Sequence, residues 1–174
     1  MPHQEPISIR LALSADAPLL AKLGAKTFFD TYQAFNTPDN MTDYISKNFN
    51  INALDAELGD EAVSFFIAFS GDSGVGYIKL SQGVSSYVSE NPAMEVSRYY
   101  VDAGFQGRKV GAALMQSAFE HAKANNCKVI WLAVWQKNPK AVNIYMHQGF
   151  EIIGTTTFQL GDDLQDDYVM AKRL

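Results

Sequence analysis

Between Val101 and Leu114 the chain reads Val-Asp-Ala-Gly-Phe-Gln-Gly-Arg-Lys-Val-Gly-Ala-Ala-Leu. An apolar run ends, a loop carrying Gly104 and Gly107 follows, and a helical pattern begins with Gly111 in its first turn. Free backbone N–H groups at a helix start, with the positive end of the helix dipole, make a seat for an anionic phosphate. Gly107 and Gly111 let the backbone approach a bulky pyrophosphate closely. A plain strand-to-helix turn would carry the same glycines, and on spacing alone the two readings stand level. Other phosphate motifs do not fit. There is no Gly-Lys-Ser/Thr, and Gly104, Gly107 and Gly111 lack the dinucleotide spacing. Gly74-Val75-Gly76 lies in a hairpin pattern, where glycine serves a turn.

The elements that must hold this loop fit one domain. A chain of 174 residues buries roughly 70% of its unfolded surface, so a core needs no staples. Its 47% hydrophobic and 19% charged residues are those of an ordinary globular protein. The single Cys127 excludes an intramolecular disulfide framework and suits a reducing compartment. Fourteen basic against nineteen acidic residues leave a net charge of −5, which argues against a general nucleic-acid binder and leans toward a cationic small partner. Met1 to Ile9 is polar, with Pro2 and Pro6, and lacks the apolar stretch of a signal peptide. The longest apolar run, Val129 to Val134, is too short to cross a bilayer. Asn40-Met41-Thr42 matches a glycosylation acceptor only formally without an export signal, and the expected location is the cytoplasm.

Alternation of Ile7, Ile9 and Leu11 predicts a half-buried strand. Asp16 before Pro18 predicts a helix N-cap, and Leu19, Leu20 and Leu23 begin an apolar face running toward Phe28, Phe29 and Tyr32. Thr37-Pro38 starts a second helix, and Asn52 to Leu58 forms a short third. Val63 to Ser70 and Val75 to Ser81 make a hairpin across Gly71 to Gly74, and Met94 to Val101 makes a further strand. Arg108 to Ala124 is helical, and Lys128 to Val134 is a continuous apolar strand suited to a sheet interior. A helix over Asn138 to His147 stops at Gly149, and strands over Phe150 to Leu160 and Asp167 to Lys172 flank an acidic turn. The order predicts a mixed α/β domain around one twisted sheet, a single domain over 1–174.

With these elements in view, Gln106-Gly107-Arg108-Lys109-Val110-Gly111 resembles the pyrophosphate loop of the GCN5-related N-acetyltransferase (GNAT) superfamily. That pattern runs Gln or Arg, two variable residues, Gly, one variable residue, then Gly or Ala; Lys109 stands where the first Gly is usual. A second stretch, Asn138 through Ala141 and Tyr145 to Gly149-Phe150, is similar to the family's Asn-x-x-Ala-x-x-x-Tyr-x-x-x-Gly-Phe segment. The resemblance spans essentially the whole chain. More narrowly, Thr27 to Tyr32, Asn36 to Met41, Trp131 to Trp135 and the ending from Gly161 to Lys172 resemble the bacterial Pai-type spermidine/spermine N-acetyltransferases.

The resemblance implies a mostly antiparallel sheet of about seven strands, with acetyl-CoA between splayed strands four and five. It implies cofactor contacts from Tyr100 and Val101 on the fourth strand, from Gln106, Gly107, Arg108, Lys109, Val110, Gly111 and Ala112 in the loop, and from Asn138. Without it, Tyr100 and Val101 are strand residues and Asn138 is a helix cap. The resemblance makes Tyr145 the acid that meets the departing CoA thiolate, a thiol with a pKa near 8.5 against about 10 for a phenol. Glu95 is the best carboxylate for the base, acting through water. It shares a sheet face with Ser97, which stands where related sequences often carry an acid, so solvent alone remains open as the base. Phe28, Tyr32 and the segment from Asn36 to Tyr44 are the implied acceptor wall.

Asp30, Asp162 and Asp163 suit a polycation or a solvated acidic surface equally. His121 and His147 have no partners at ligand spacing, so no metal site is indicated. Cys127 precedes the fifth strand without an acid–base partner, which disfavours it as an acyl carrier. The favoured activity is acetyl transfer from acetyl-CoA to a primary amine, chiefly spermidine or spermine, by direct attack in a ternary complex. An amino acid, antibiotic amine or protein N-terminus is the alternative acceptor, and a CoA-binding regulatory module is the non-enzymatic reading. Dimers are usual among the resembling enzymes, which admits a homodimer; neither nucleic acid nor membrane is an expected partner.

Overall fold

The computed structural model describes residues 5–174, so Met1 to Gln4 and the part of the leader expectation resting on them lie outside it. Seven strands form one sheet: β1 (Ile7–Leu11), β2 (Val63–Ser70), β3 (Ser73–Gly83), β4 (Ala93–Val101), β5 (Val129–Trp135), β6 (Glu151–Leu160) and β7 (Asp163–Arg173). Their order is β1-β2-β3-β4-β5-β7-β6, antiparallel at every neighbour but β4–β5. Helices α1 (Ala17–Tyr32), α2 (Pro38–Asn48) and α3 (Ile51–Leu58) cover one face; α4 (Val110–Ala124) and α5 (Pro139–His147) cover the other. No helix among the described residues is long and apolar enough to cross a membrane.

Sequence chemistry explains most boundaries. Thr37, Asn50 and Asn138 cap α2, α3 and α5, each accepting from the backbone N–H three residues on. Asp16 corrects the cap reading: its carboxylate is engaged by Arg10 at 2.8 and 2.9 Å and by the Leu13 N–H, not by α1. The fourth helix begins at Val110, two residues later than the pattern suggested, because Gly107 and Lys109 take positive φ of 77° and 63°. The last strand starts at Asp163 rather than Asp167. Its polar stretch reads as a turn, yet Asp163, Gln165 and Asp167 alternate inward with the strand period.

One irregularity organises the middle of the sheet. Leu80 pairs with Val96 but Lys79 pairs with Arg98, so Ser97 is an extra residue in β4. Before this bulge Glu95 lies opposite Ser81, and Ser97 returns to the same face to bond Ser81 through Oγ at 2.9 Å. After it Arg98 and Tyr100 join the α1–α3 side, where Tyr100 packs on Tyr77 and Arg98 lies over Phe49. Tyr99 and Val101 pass to the α4–α5 side. Strict alternation would have put Tyr99 and Val101 on the face of Glu95.

Candidate active site

The sheet opens between its two parallel strands. β4 and β5 pair only at Met94–Ile130 and Glu95–Trp131, after which β5 continues along β7 while β4 stays with β3. From Val96 to Val101 the backbone edge facing β5 is therefore unpaired by strand. Tyr100 and Val101 lie on this edge.

At the end of β4 the loop into α4 is built for an anion. Asp102 accepts from the Gly104 N–H at 3.0 Å and pairs with Lys26, turning the chain. Gln106 donates to the Val101 carbonyl and accepts from Lys140 of α5 at 3.0 Å, which ties the loop to the helix beyond the opening. The first helical hydrogen bond runs from Ala113 N–H to Lys109 C=O, so the amides of Val110, Gly111 and Ala112 are the orphan donors of the helix start. No acid stands in that first turn, and Arg108, Lys109 and Lys140 are near it. Lys109 holds the left-handed conformation glycine adopts most readily, which reconciles it with a glycine position. Val110 has its side chain in the core and offers only backbone. A Cβ on Gly111 would come within 2.5 Å of the Tyr99 hydroxyl, so glycine there admits Tyr99 beneath the helix.

Tyr99 leads to Tyr145, their ring centroids 5.9 Å apart. Tyr145 is held by the end of its own helix. Gly149 takes a φ of 92°, its N–H bonds Met146 C=O, and the Phe150 N–H bonds Tyr145 C=O. This double closure carries a contact between the residues it brings together, here the Phe150 ring 5.9 Å from the Tyr145 ring. The Tyr145 hydroxyl has no hydrogen-bond partner among the described residues and is not one of the sealed polar atoms. Burial, assisted by the phenols of Tyr99 and Tyr32, raises its pKa well above the ordinary value. A phenol raised in this direction keeps its proton at neutral pH and is able to donate a hydrogen bond.

The other face carries the carboxylates. Glu95 is half-buried; burial raises its pKa and the Lys79 charge opposes that. Lys79 also pairs with Glu57 at 3.1 Å, and Glu57 grips Arg98 through two hydrogen bonds. Tyr32 lies 6.0 Å from Trp135 between ring centroids, and burial followed by the Asp167 charge pushes its pKa to about 12. Phe28 corrects the acceptor-wall expectation: at 2% exposure it is core, stacked 4.5 Å from Tyr44 and backing Tyr32. Asn138 uses its side-chain oxygen as a cap at 3.2 Å, leaving its amide free of that bond.

The acids singled out from sequence are engaged. Asp30 pairs with Lys26, Asp162 accepts from Asn40, and Asp163 accepts from Asn36 and Gln165. Asp167, buried on the same side and raised to about 6 by burial and then by Asp166, escaped that reading. So did Tyr99 and Lys140. Reading β7 from Asp163 with period two would have turned Asp167 inward. Cys127 is buried behind α4 with its thiol pKa raised by burial, and His121 packs edge-on against Phe66. His147 lies within 2.7 Å of the Asn143 carbonyl through Nδ1.

Residues 26–150 match the model of the acetyltransferase (GNAT) family. The chain is 32% identical over 161 residues to an uncharacterised N-acetyltransferase in the pepI 3′ region of Lactobacillus delbrueckii, covering 91% of this chain and 92% of that protein. It is 26% identical over 87 residues to the spermine/spermidine N(1)-acetyltransferase of Bacillus subtilis, covering 49% of this chain and 53% of the other. The crystal structure of a PaiA N-acetyltransferase from Thermoplasma acidophilum, in complex with coenzyme A, superposes with a TM-score of 0.81 at 20% identity, over 97% and 99% of the two chains. Matched across the opened strands, the anion loop and the Tyr145 helix alike, the chain belongs to the GNAT family of N-acetyltransferases.

Proposed function

We propose that this N-acetyltransferase acts on a primary amine, a polyamine such as spermidine or spermine, by direct attack in a ternary complex. The observation that supports the reading is the two-row pairing of β4 with β5, which opens the sheet beyond Glu95, with Tyr145 on the α4–α5 face and Glu95 on the other. Acetyl-CoA, when bound, supplies the acetyl group as a thioester and leaves as a thiol. The residues present fit it: orphan amides at the start of α4 with Gly107, Arg108 and Lys109 for phosphates, the open edge at Tyr100 and Val101 for an amide-bearing arm, and the Asn138 amide beside it.

Tyr145 holds its proton at neutral pH and donates a hydrogen bond where sulfur gains charge. An alkylamine with a pKa near 10.4 is neutral about once in 10³ molecules at pH 7, so its proton must leave. Glu95 takes that proton through water, its raised pKa bringing it nearer to working pH. Buried Cys127 lies outside the cleft, which supports direct transfer over a thiol relay.

The polyamine acceptor draws support from the partial likeness to the Bacillus subtilis enzyme and from the acids and aromatic rings on the acceptor side. Release of free thiol from acetyl-CoA, measured against a panel of polyamines, amino acids, aminoglycosides and peptide N-termini, tests it. Turnover concentrated on polyamines is expected. Turnover confined to another amine class would overturn the acceptor assignment.

A further inference from the structure

The chemistry above leaves unused one buried carboxylate that has no cation partner among the described residues. Asp167 lies on β7 between Trp135 of β5 and Thr156 of β6, at 8% exposure. Its Oδ1 is sealed, and no described residue donates to it. Two residues earlier on the same face Gln165 is 4% exposed; its amide bonds Asp163, and its Oε1 is likewise sealed without a donor. Two buried acceptors two residues apart on one strand face, neither with a donor among the described residues, leave room for a donor from outside the chain.

The surroundings say which donors. No Lys, Arg or His among the described residues pairs with Asp167. Tyr32 and Phe35 rings stand 6.0 and 5.1 Å from the Trp135 ring, which shares the strand row of Asp167. A carboxylate beside aromatic faces attracts an alkylammonium and leaves its methylenes in apolar contact. Tyr32 on α1 reaches Trp135, the cross-strand partner of Asp167, and so stands over the carboxylate's row of the sheet. On β5, Ala133 is exposed although the strand is interior, so the sheet face is open there. Ala133 and Trp135 are about 7 Å apart along the strand.

We propose that Asp167 anchors a second, non-reacting cationic nitrogen of the acceptor against Tyr32 and Trp135, selecting alkyl diamines and polyamines over monoamines. The inference rests on the amine-acceptor reading above and adds the group that requires two cations. Gln165 Oε1 accepts from the same or the next nitrogen along the chain.

Two measurements on wild type and Asp167→Asn test it. One is kcat/KM for 1,4-diaminobutane and spermidine against n-pentylamine, which replaces the distal ammonium by a methyl. The other is calorimetric binding of the two polycations to CoA-loaded enzyme, with melting curves showing that the variant is folded. In wild type the diamine should be preferred over pentylamine by at least about tenfold, the worth of one charged hydrogen bond. In the variant that ratio should fall toward one, and polycation affinity should drop by a similar factor. An unchanged ratio and affinity in the folded variant, or no polycation binding to wild type, would overturn the inference. Polycations bound through Asp167 but not acetylated would instead sink the polyamine reaction and leave the anchor standing. Polyamines acetylated equally by both proteins would do the reverse.

Discussion

Removing the Asp167 charge should stabilise the empty protein at neutral pH, an unusual outcome for a buried polar substitution. The carboxyl is raised from 3.8 to about 6, chiefly by burial and then by Asp166, with no cation opposing. Tyr32 of α1, Gln165 and Asp166 of β7, Thr156 of β6 and Trp135 of β5 are its neighbours, and Asp166 is the charged one. Between about pH 4 and 6 the folded chain keeps a proton that the unfolded chain has lost, so stability falls as pH rises through this window. A shift of about two units costs about 3 kcal/mol once the group is ionised, complete above pH 6 and absent below pH 4. The substituted amide is itself buried and recovers only part of this, so a gain of roughly 1–2 kcal/mol is expected at pH 7.5. For a domain of this size that is a rise of about 3–6 °C in Tm.

Melting curves for wild type and Asp167→Asn from pH 4.5 to 8 are the assay. The difference should be largest at pH 7.5–8 and should shrink as the solution is acidified. Saturating spermidine should narrow it at pH 7.5 by raising the wild-type Tm more. A variant less stable than wild type at pH 8, or a gap that does not change with pH, would refute the picture of an uncompensated buried charge.

Tyr145→Phe should lower kcat roughly 100-fold while leaving Tm within about 1 °C, because the lost hydroxyl makes no bond to a described residue; near-normal turnover would remove Tyr145 from the chemistry. Glu95→Gln should lower kcat/KM and erase the acidic limb of its pH profile, whereas a superimposable profile would assign the proton to solvent. Lys109→Gly should relieve the left-handed strain, worth up to about 1 kcal/mol, yet weaken CoA binding about two- to fivefold by calorimetry; unchanged affinity would show that its charge does not act on the phosphates. Gly149→Ala should cost about 1 kcal/mol or more and depress kcat beyond any effect on CoA affinity, since its φ of 92° closes the helix that aims Tyr145; a full kcat would break that link.

Much of this arrangement is legible in the residues, and the departures have local causes. Apolar alternation, Asx and Thr caps and the glycine stops mark nearly every element because these signals act within a few residues. The Tyr-x-x-x-Gly-Phe run is legible for the same reason: Gly149 and Phe150 clamp the turn that contains Tyr145. Asp16 misled because an N-cap and an ion-pair partner use the same carboxylate, and Arg10 lies on the preceding strand. Phe28 misled because one helix face serves both core and cleft, and only packing against Tyr44 and Phe49 tells them apart. Asp167 was hidden by composition, since a strand opening Asp-Leu-Gln-Asp-Asp has the look of a turn. The Ser97 bulge leaves no mark in the sequence; it arises from how β4 registers on β3.

That bulge is what lets one cleft be served from both sides of a sheet. In a regular strand Glu95, Tyr99 and Val101 would share a face, and Tyr99 could not reach Tyr145 without leaving the carboxylate's side. The extra residue sends Tyr99 under Gly111 and against Tyr145, while Glu95, Arg98 and Tyr100 remain with α1–α3. Charge divides along the same line. Arg108, Lys109 and Lys140 gather with the orphan amides where an anionic donor would lie, and Glu95 and Asp167 face the acceptor side. A net charge of −5 is then no obstacle to holding a polyphosphate, because local donors set the field at the loop. The acidity acts where it is close, unpaired and screened from water, and of the acids on that side Asp167 alone combines burial with a sealed oxygen that no described residue satisfies. If the acceptor is the cationic amine proposed above, its selection rests on this interior carboxylate more than on the acidic surface around it.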